Sequence, residues 1–306
     1  MTLPLISALM LLAAAQTAPG EGLAPPSGQQ PAQPEQPAQP VAAGQSGEAP
    51  AQPAGPAAPA FVAPLNDEAR FEACMDMATD DPASGIVAAN EWLIGGGGYF
   101  ARHCLGFAYA KDGRWGAAAD AFVAAARDAE RARDNRAANL WTQAGNAALA
   151  SGDAALALTY FDAAMARGVS EGLLLGELHL DRARALVVAG KAEEAEAAFA
   201  EAHRLVPEDP LAWLLSATLA RRQGKLDRAQ ADIDIAARLA PRDPEVALEA
   251  GNIAASAGKY DIARRNWTQA IDIRPDGPIA KTARNHLTQL DEAETGAKGA
   301  KPAKAQ

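Results

Sequence analysis

Glu177 and Asp181 stand four residues apart in the segment GELHLD, the spacing that puts two carboxylates one helical turn apart on one face. Such a pair does acid–base chemistry when one member is held protonated, whereas on a solvated helix it is simply an acidic face. The second reading is adopted for these two. The four histidines, His103, His179, His203 and His286, fall on four different predicted helices, and none takes part in an HExxH or other paired metal spacing. The two cysteines, Cys74 and Cys104, have no CxxC spacing, and His103 beside Cys104 does not complete a metal site. In an exported chain such a pair is a disulfide, and closing a loop of this length is worth roughly 3 to 4 kcal/mol. The glycine run at 95–98 lacks the Lys-Ser/Thr end of a phosphate cradle and follows no strand, so it is read as a loop or hinge. A GxSxG nucleophile turn and a dinucleotide fingerprint are both missing. The sequence therefore predicts no catalytic centre, metal or cofactor.

The elements around these residues follow a repeat. Five times a glycine is followed by alanine, a large apolar residue and alanine at fixed distances: Gly113, Ala118, Phe122, Ala125; Gly152, Ala157, Phe161, Ala164; Gly190, Ala195, Phe199, Ala202; Gly224, Ala229, Ile233, Ala236; Gly258, Ala263, Trp267, Ala270. Successive glycines are 39, 38, 34 and 34 residues apart, room for two helices of about a dozen residues and their turns. Glycine ends the first helix of each pair in a left-handed conformation. The alanines share one face of the second helix and allow close approach, while the large residue between them supplies most of the buried area.

This pattern resembles the tetratricopeptide repeat, a 34-residue unit of two helices. The first unit carries Leu105, Gly106, Tyr109, Gly113, Trp115, Ala118, Phe122 and Ala125, and the second Trp141, Ala144, Gly145, Gly152, Ala157, Phe161 and Ala164. Pro207, Pro241 and Pro275 close later units, Trp213 opens the fourth, and Gly251 and Tyr260 match in the fifth. Arg182 stands where the third unit would bury a leucine, which calls for a salt-bridge partner. Extra residues after the first two units imply a longer helix or loop, assigned in the first to RDAERARDNR. The resemblance covers residues 99–275, with units at about 99–132, 138–171, 176–209, 210–243 and 244–277. It implies an all-α fold, a right-handed α-solenoid of about five helix pairs.

Outside the array, residues 61–98 are read as an irregular helix pair broken at Asp81-Pro82. Residues 278–293 are read as an amphipathic capping helix with Ile279, Ala283, Leu287 and Leu290 inward. Residues 1–15 have the short apolar run of a signal peptide, with Ala13 and Ala15 offering a cleavage site, although no Lys or Arg precedes the run. This makes the expected location periplasmic or otherwise exported, with no transmembrane segment in the mature chain. Residues 16–60 hold 11 prolines and no Lys, Arg or Asp, the composition of a disordered linker. Pro31, Pro34, Pro37 and Pro40 favour a polyproline rod, and the segment reaches on the order of 140 Å at most. Residues 294–306 read as a disordered basic tail.

The formal net charge is −10. Of this, −3 lies in residues 1–60, −9 in 61–293 and +2 in the last thirteen. An acidic array is a poor nucleic-acid binder.

The resemblance also implies a concave groove, lined by the first helix of each unit at offsets two, five, nine and twelve, that holds a peptide or partner helix. Those offsets carry Phe100, His103 and Phe107; Asn139, Thr142 and Asn146; Glu177, Leu180 and Arg184; Leu211, Leu214, Thr218 and Arg221; Glu245, Leu248 and Asn252. Asparagines suit a peptide backbone, apolar side chains take anchors, and Arg184 with Arg221 meets a carboxylate. The lysine-asparagine set of the family's carboxylate clamps is missing. The function expected is a non-enzymatic interaction scaffold of the cell envelope. The alternatives are a structural subunit of an envelope assembly and a regulatory partner of an envelope enzyme.

Overall fold

The structure is a computed structural model describing residues 66–168 and 172–299, all within one compact unit, Pro64–Gln306. The predicted signal peptide, the Pro-rich linker and residues 300–306 of the tail lie outside the described residues. Among the described residues there are 13 helices and no strand, each packed mainly on its sequence neighbours.

An N-terminal pair, α1 (Asp67–Asp80) and α2 (Pro82–Ile94), precedes the array. Asp81 ends α1 in an extended conformation and caps α2, whose first residue is Pro82, so a single residue serves both helix ends. The five repeats are α3 (Gly98–Lys111) with α4 (Trp115–Ala132), α5 (Arg136–Ala150) with α6 (Ala154–Ala166), α7 (Leu173–Val188) with α8 (Ala192–Leu205), α9 (Pro210–Arg222) with α10 (Leu226–Leu239), and α11 (Pro244–Ser256) with α12 (Tyr260–Ile273). Helix α13 (Pro278–Gly299) follows.

The glycine-alanine ladder sets the packing. All five ladder glycines have φ between 72° and 92°, a region in which other residues are strained. All ten ladder alanines are 0% exposed, and Phe122, Phe161, Phe199, Ile233 and Trp267 are buried between them. Opposite three of those side chains the first helix must be bare. A Cβ on Gly106 would lie 2.6 Å from Cδ1 of Phe122, and Gly145 and Gly251 face Phe161 and Trp267 in the same way. Arg182, at the odd position of the third repeat, bonds Asp162 of α6 at 3.0 Å.

The extra residues of the first unit extend α4 to 18 residues, ending at Arg133 in the left-handed region, φ 56°. Those of the second unit fall in the turn after Ala166, of which residues 169–171 lie outside the described set. Gly95–Gly97 form the turn between α2 and α3, and Gly98 opens α3.

Each end of the array is tied down. Cys74 of α1 is disulfide-bonded to Cys104 of α3, with Cα atoms 6.1 Å apart, and both are buried beside Trp92 and Phe100. At the other end α13 buries Ile279, Ala283 and Leu290 against α11 and α12. The helix does not stop at 293 as the sequence reading has it. Arg264 of α12 bonds both Asp291, at 2.6 Å, and Glu294, at 3.2 Å, holding the next turn of α13 in place before it ends at Gly299.

Candidate functional site

The first helices α3, α5, α7, α9 and α11 carry the residues assigned to the groove, and the side chains there bond chiefly to one another. Where α3 meets α5, the His103 Nε2 lies 3.1 Å from the Gln143 Oε1, and Gln143 in turn donates to Asn139 at 2.5 Å. Phe71 of α1 and Phe122 of α4 close over the imidazole, with ring centroids 4.7 and 5.9 Å away. Burial holds the His103 pKa down to about 4, against a partly offsetting hydrogen bond to Gln143.

Where α5 meets α7, Asn146 donates its Nδ2 to Asp181 Oδ2 at 2.7 Å, and Arg184 donates to Asp181 Oδ1 at 3.0 Å. Burial pushes the Asp181 carboxyl up, with Arg184 and Asn146 pulling the other way. Burial also pushes Glu177 up, helped by repulsion from Asp181 and from Asp209, the N-cap of α9. The Glu177 Oε2 and the Asn146 Oδ1 are enclosed, and among the described residues no donor faces either.

Where α9 meets α11, Arg221 grips Glu249 with two bonds, at 2.6 and 3.3 Å. Asn252 donates to the same carboxylate at 3.0 Å and accepts from the Trp267 indole at 3.1 Å. Every group in this cluster has its partner.

These positions correct the sequence reading at several residues. His103 is sealed under α1, and Thr142 is buried with its hydroxyl bonded to the Ala138 carbonyl of its own helix. Leu180 and Leu214 belong to the core. All four form a closed floor instead of an available lining. Thr218 also bonds back, to the Leu214 carbonyl, and Arg221 is taken up by Glu249, so it does not wait for a ligand carboxylate. Glu177 and Asp181 are not a solvated acidic face: Asp181 bonds Asn146 of α5, and Glu177 has one carboxylate oxygen enclosed. Phe107, Leu248 and Leu211 remain half-buried, and Asn139 is exposed.

The partners that sequence reasoning missed, Gln143, Asp181 and Glu249, all stand at offset six of their repeats, and each bonds a side chain of the preceding first helix. Cys104 holds that offset in the first repeat and Leu215 in the fourth. A polar residue recurring at an otherwise apolar offset is the signal that finds them.

A family model described as tetratricopeptide repeat matches residues 142–210 and 180–244. Residues 142–244 are thus tetratricopeptide repeats. A chain of the APC/C hetero-tetramer Cut9-Hcn1 overlays with a TM-score of 0.56 at 14% identity, covering 75% of this chain and 44% of that one. BtubC from P. vanneervenii gives 0.53 at 18% identity, covering 69% and 91%. TTC0263, a TPR protein of Thermus thermophilus, gives 0.50 at 20% identity, covering 62% and 99%. These likenesses are of fold. No curated protein matches the chain in sequence. The family places the chain among protein-interaction scaffolds. No helix among the described residues is long and apolar enough to cross a membrane.

Proposed function

We propose that this chain is an exported scaffold of the cell envelope that binds a protein segment along its first-helix face without catalysing a reaction, and that its Pro-rich arm spaces it from an anchor point. The observation that carries the reading is the part of the face left outside the core: exposed Asn139, half-buried Phe107, Leu211 and Leu248, and two acceptors without a donor among the described residues, on α5 and α7. The second-helix ladder, by contrast, is spent on packing, with nothing left for a ligand. Export is supported by the signal-like residues 1–15 and by the paired Cys74 and Cys104, since disulfides persist in oxidising compartments.

The test is a photo-crosslinking amino acid placed at Asn139, on the first-helix face, or at Glu201, exposed on α8. In the native envelope a discrete crosslinked partner is expected from position 139 and none from 201. The reverse pattern favours a structural subunit engaged through its outer helices.

A further inference from the structure

We propose that the centre of the groove, between Asn146 of α5, Glu177 of α7 and Asp209 of α9, receives an ammonium or guanidinium group, so that the bound partner segment is basic at that point. This inference rests on the groove reading above and names the chemistry of its ligand.

Three carboxylates meet there, and their partners are unevenly supplied. Asp181 has Asn146 and Arg184. Asp209 accepts from the Leu211 amide at 2.9 Å as the cap of α9. For Glu177 the neighbours felt most strongly are two other carboxylates, Asp181 and Asp209, and its Oε2 is enclosed without a donor among the described residues. An independent group on another helix has the same need. Because Asn146 gives its NH2 to Asp181, its amide oxygen is left at the junction as an acceptor, also enclosed and also unmatched.

A buried acceptor without a donor is costly, so each of these two oxygens is a standing demand for an N–H group. A neutral donor could serve either oxygen but would leave the negative charge of the carboxylates unbalanced. A cation answers both and also relieves the repulsion among the carboxylates. The −9 charge of residues 61–293 attracts a basic segment from a distance as well. The equivalent place at α9–α11 makes no such demand, because Arg221 already occupies it.

The test uses the full chain and a phage-displayed library of random ten-residue peptides, followed by titration of a synthetic copy of an enriched peptide. The expected result is a Lys or Arg at one fixed position. Replacing it by norleucine is expected to weaken binding to the unaltered protein by about tenfold or more, as is Glu177→Gln in a chain with an unchanged melting curve. Enriched peptides without a basic residue, or affinities indifferent to both changes, overturn this inference and leave the groove reading standing. Failure to enrich any peptide competed by substitution of the groove overturns both.

Discussion

The junctions α5–α7 and α9–α11 have the same architecture and differ in what their polar groups find. At α9–α11 an arginine from one helix meets a glutamate of the next, and Asn252 and Trp267 complete a closed set. At α5–α7 the corresponding contact is made by Asn146, which satisfies Asp181 but leaves its own oxygen and the Glu177 carboxylate unmatched. In a repeat protein the backbone is common property. Whether a junction is structural or available is decided by a few side chains at offsets six, nine and twelve.

If that difference lies in polar groups and not in packing, the ladder beneath both junctions must count equally. Phe161→Ala and Trp267→Ala should each cost about 3–5 kcal/mol in urea denaturation, with neither junction favoured. A large inequality would place the difference in the core instead.

The α3–α5 junction extends the comparison through pH. His103 has a folded pKa of about 4 against an ordinary 6.5, so the unfolded chain takes up its proton first on acidification. Its stabilising contribution is complete above pH 6.5 and is lost as the pH falls towards 4, by about 3 kcal/mol at most. Melting curves between these values should show that loss in the unaltered chain relative to His103→Gln.

At α9–α11, Arg221→Ala strands the Glu249 carboxylate and should destabilise by about 2 kcal/mol, reduced from a fully buried pair because the arginine is partly exposed. Glu177→Gln at α5–α7 is expected to be the mildest change. Because folding raises the Glu177 pKa, the charge works against the fold at neutral pH, and its removal should leave stability unchanged or raise it by less than about 1 kcal/mol. A loss comparable to that of Arg221→Ala would mean that Glu177 already has a partner in the free chain.

The ladder is legible in the sequence because its demands are local and repeated: glycine at a positive φ and alanine where two helices touch, five times over. The break at Asp81-Pro82 and the inward residues of α13 are legible for the same reason. The groove is only half legible. Offsets place the assigned residues on the first helices, but which of them are already taken up depends on bonds between residues 28 to 40 positions apart, such as Arg221 with Glu249 and His103 with Gln143. Nothing at His103 itself signals that Phe71 of the irregular first pair will cover it. Glu177 and Asp181 read as a solvated pair because their spacing describes one helix, whereas their environment comes from two others.

Hydrogen exchange on the full chain, with and without the enriched ten-residue peptide, reports where a ligand sits without altering the protein. Added protection is expected in α5, α7 and α9, with little change in α4, α6, α8 and α13. Protection confined to the outer helices or to α11–α13 would show that the ligand does not sit at the α5–α7 junction.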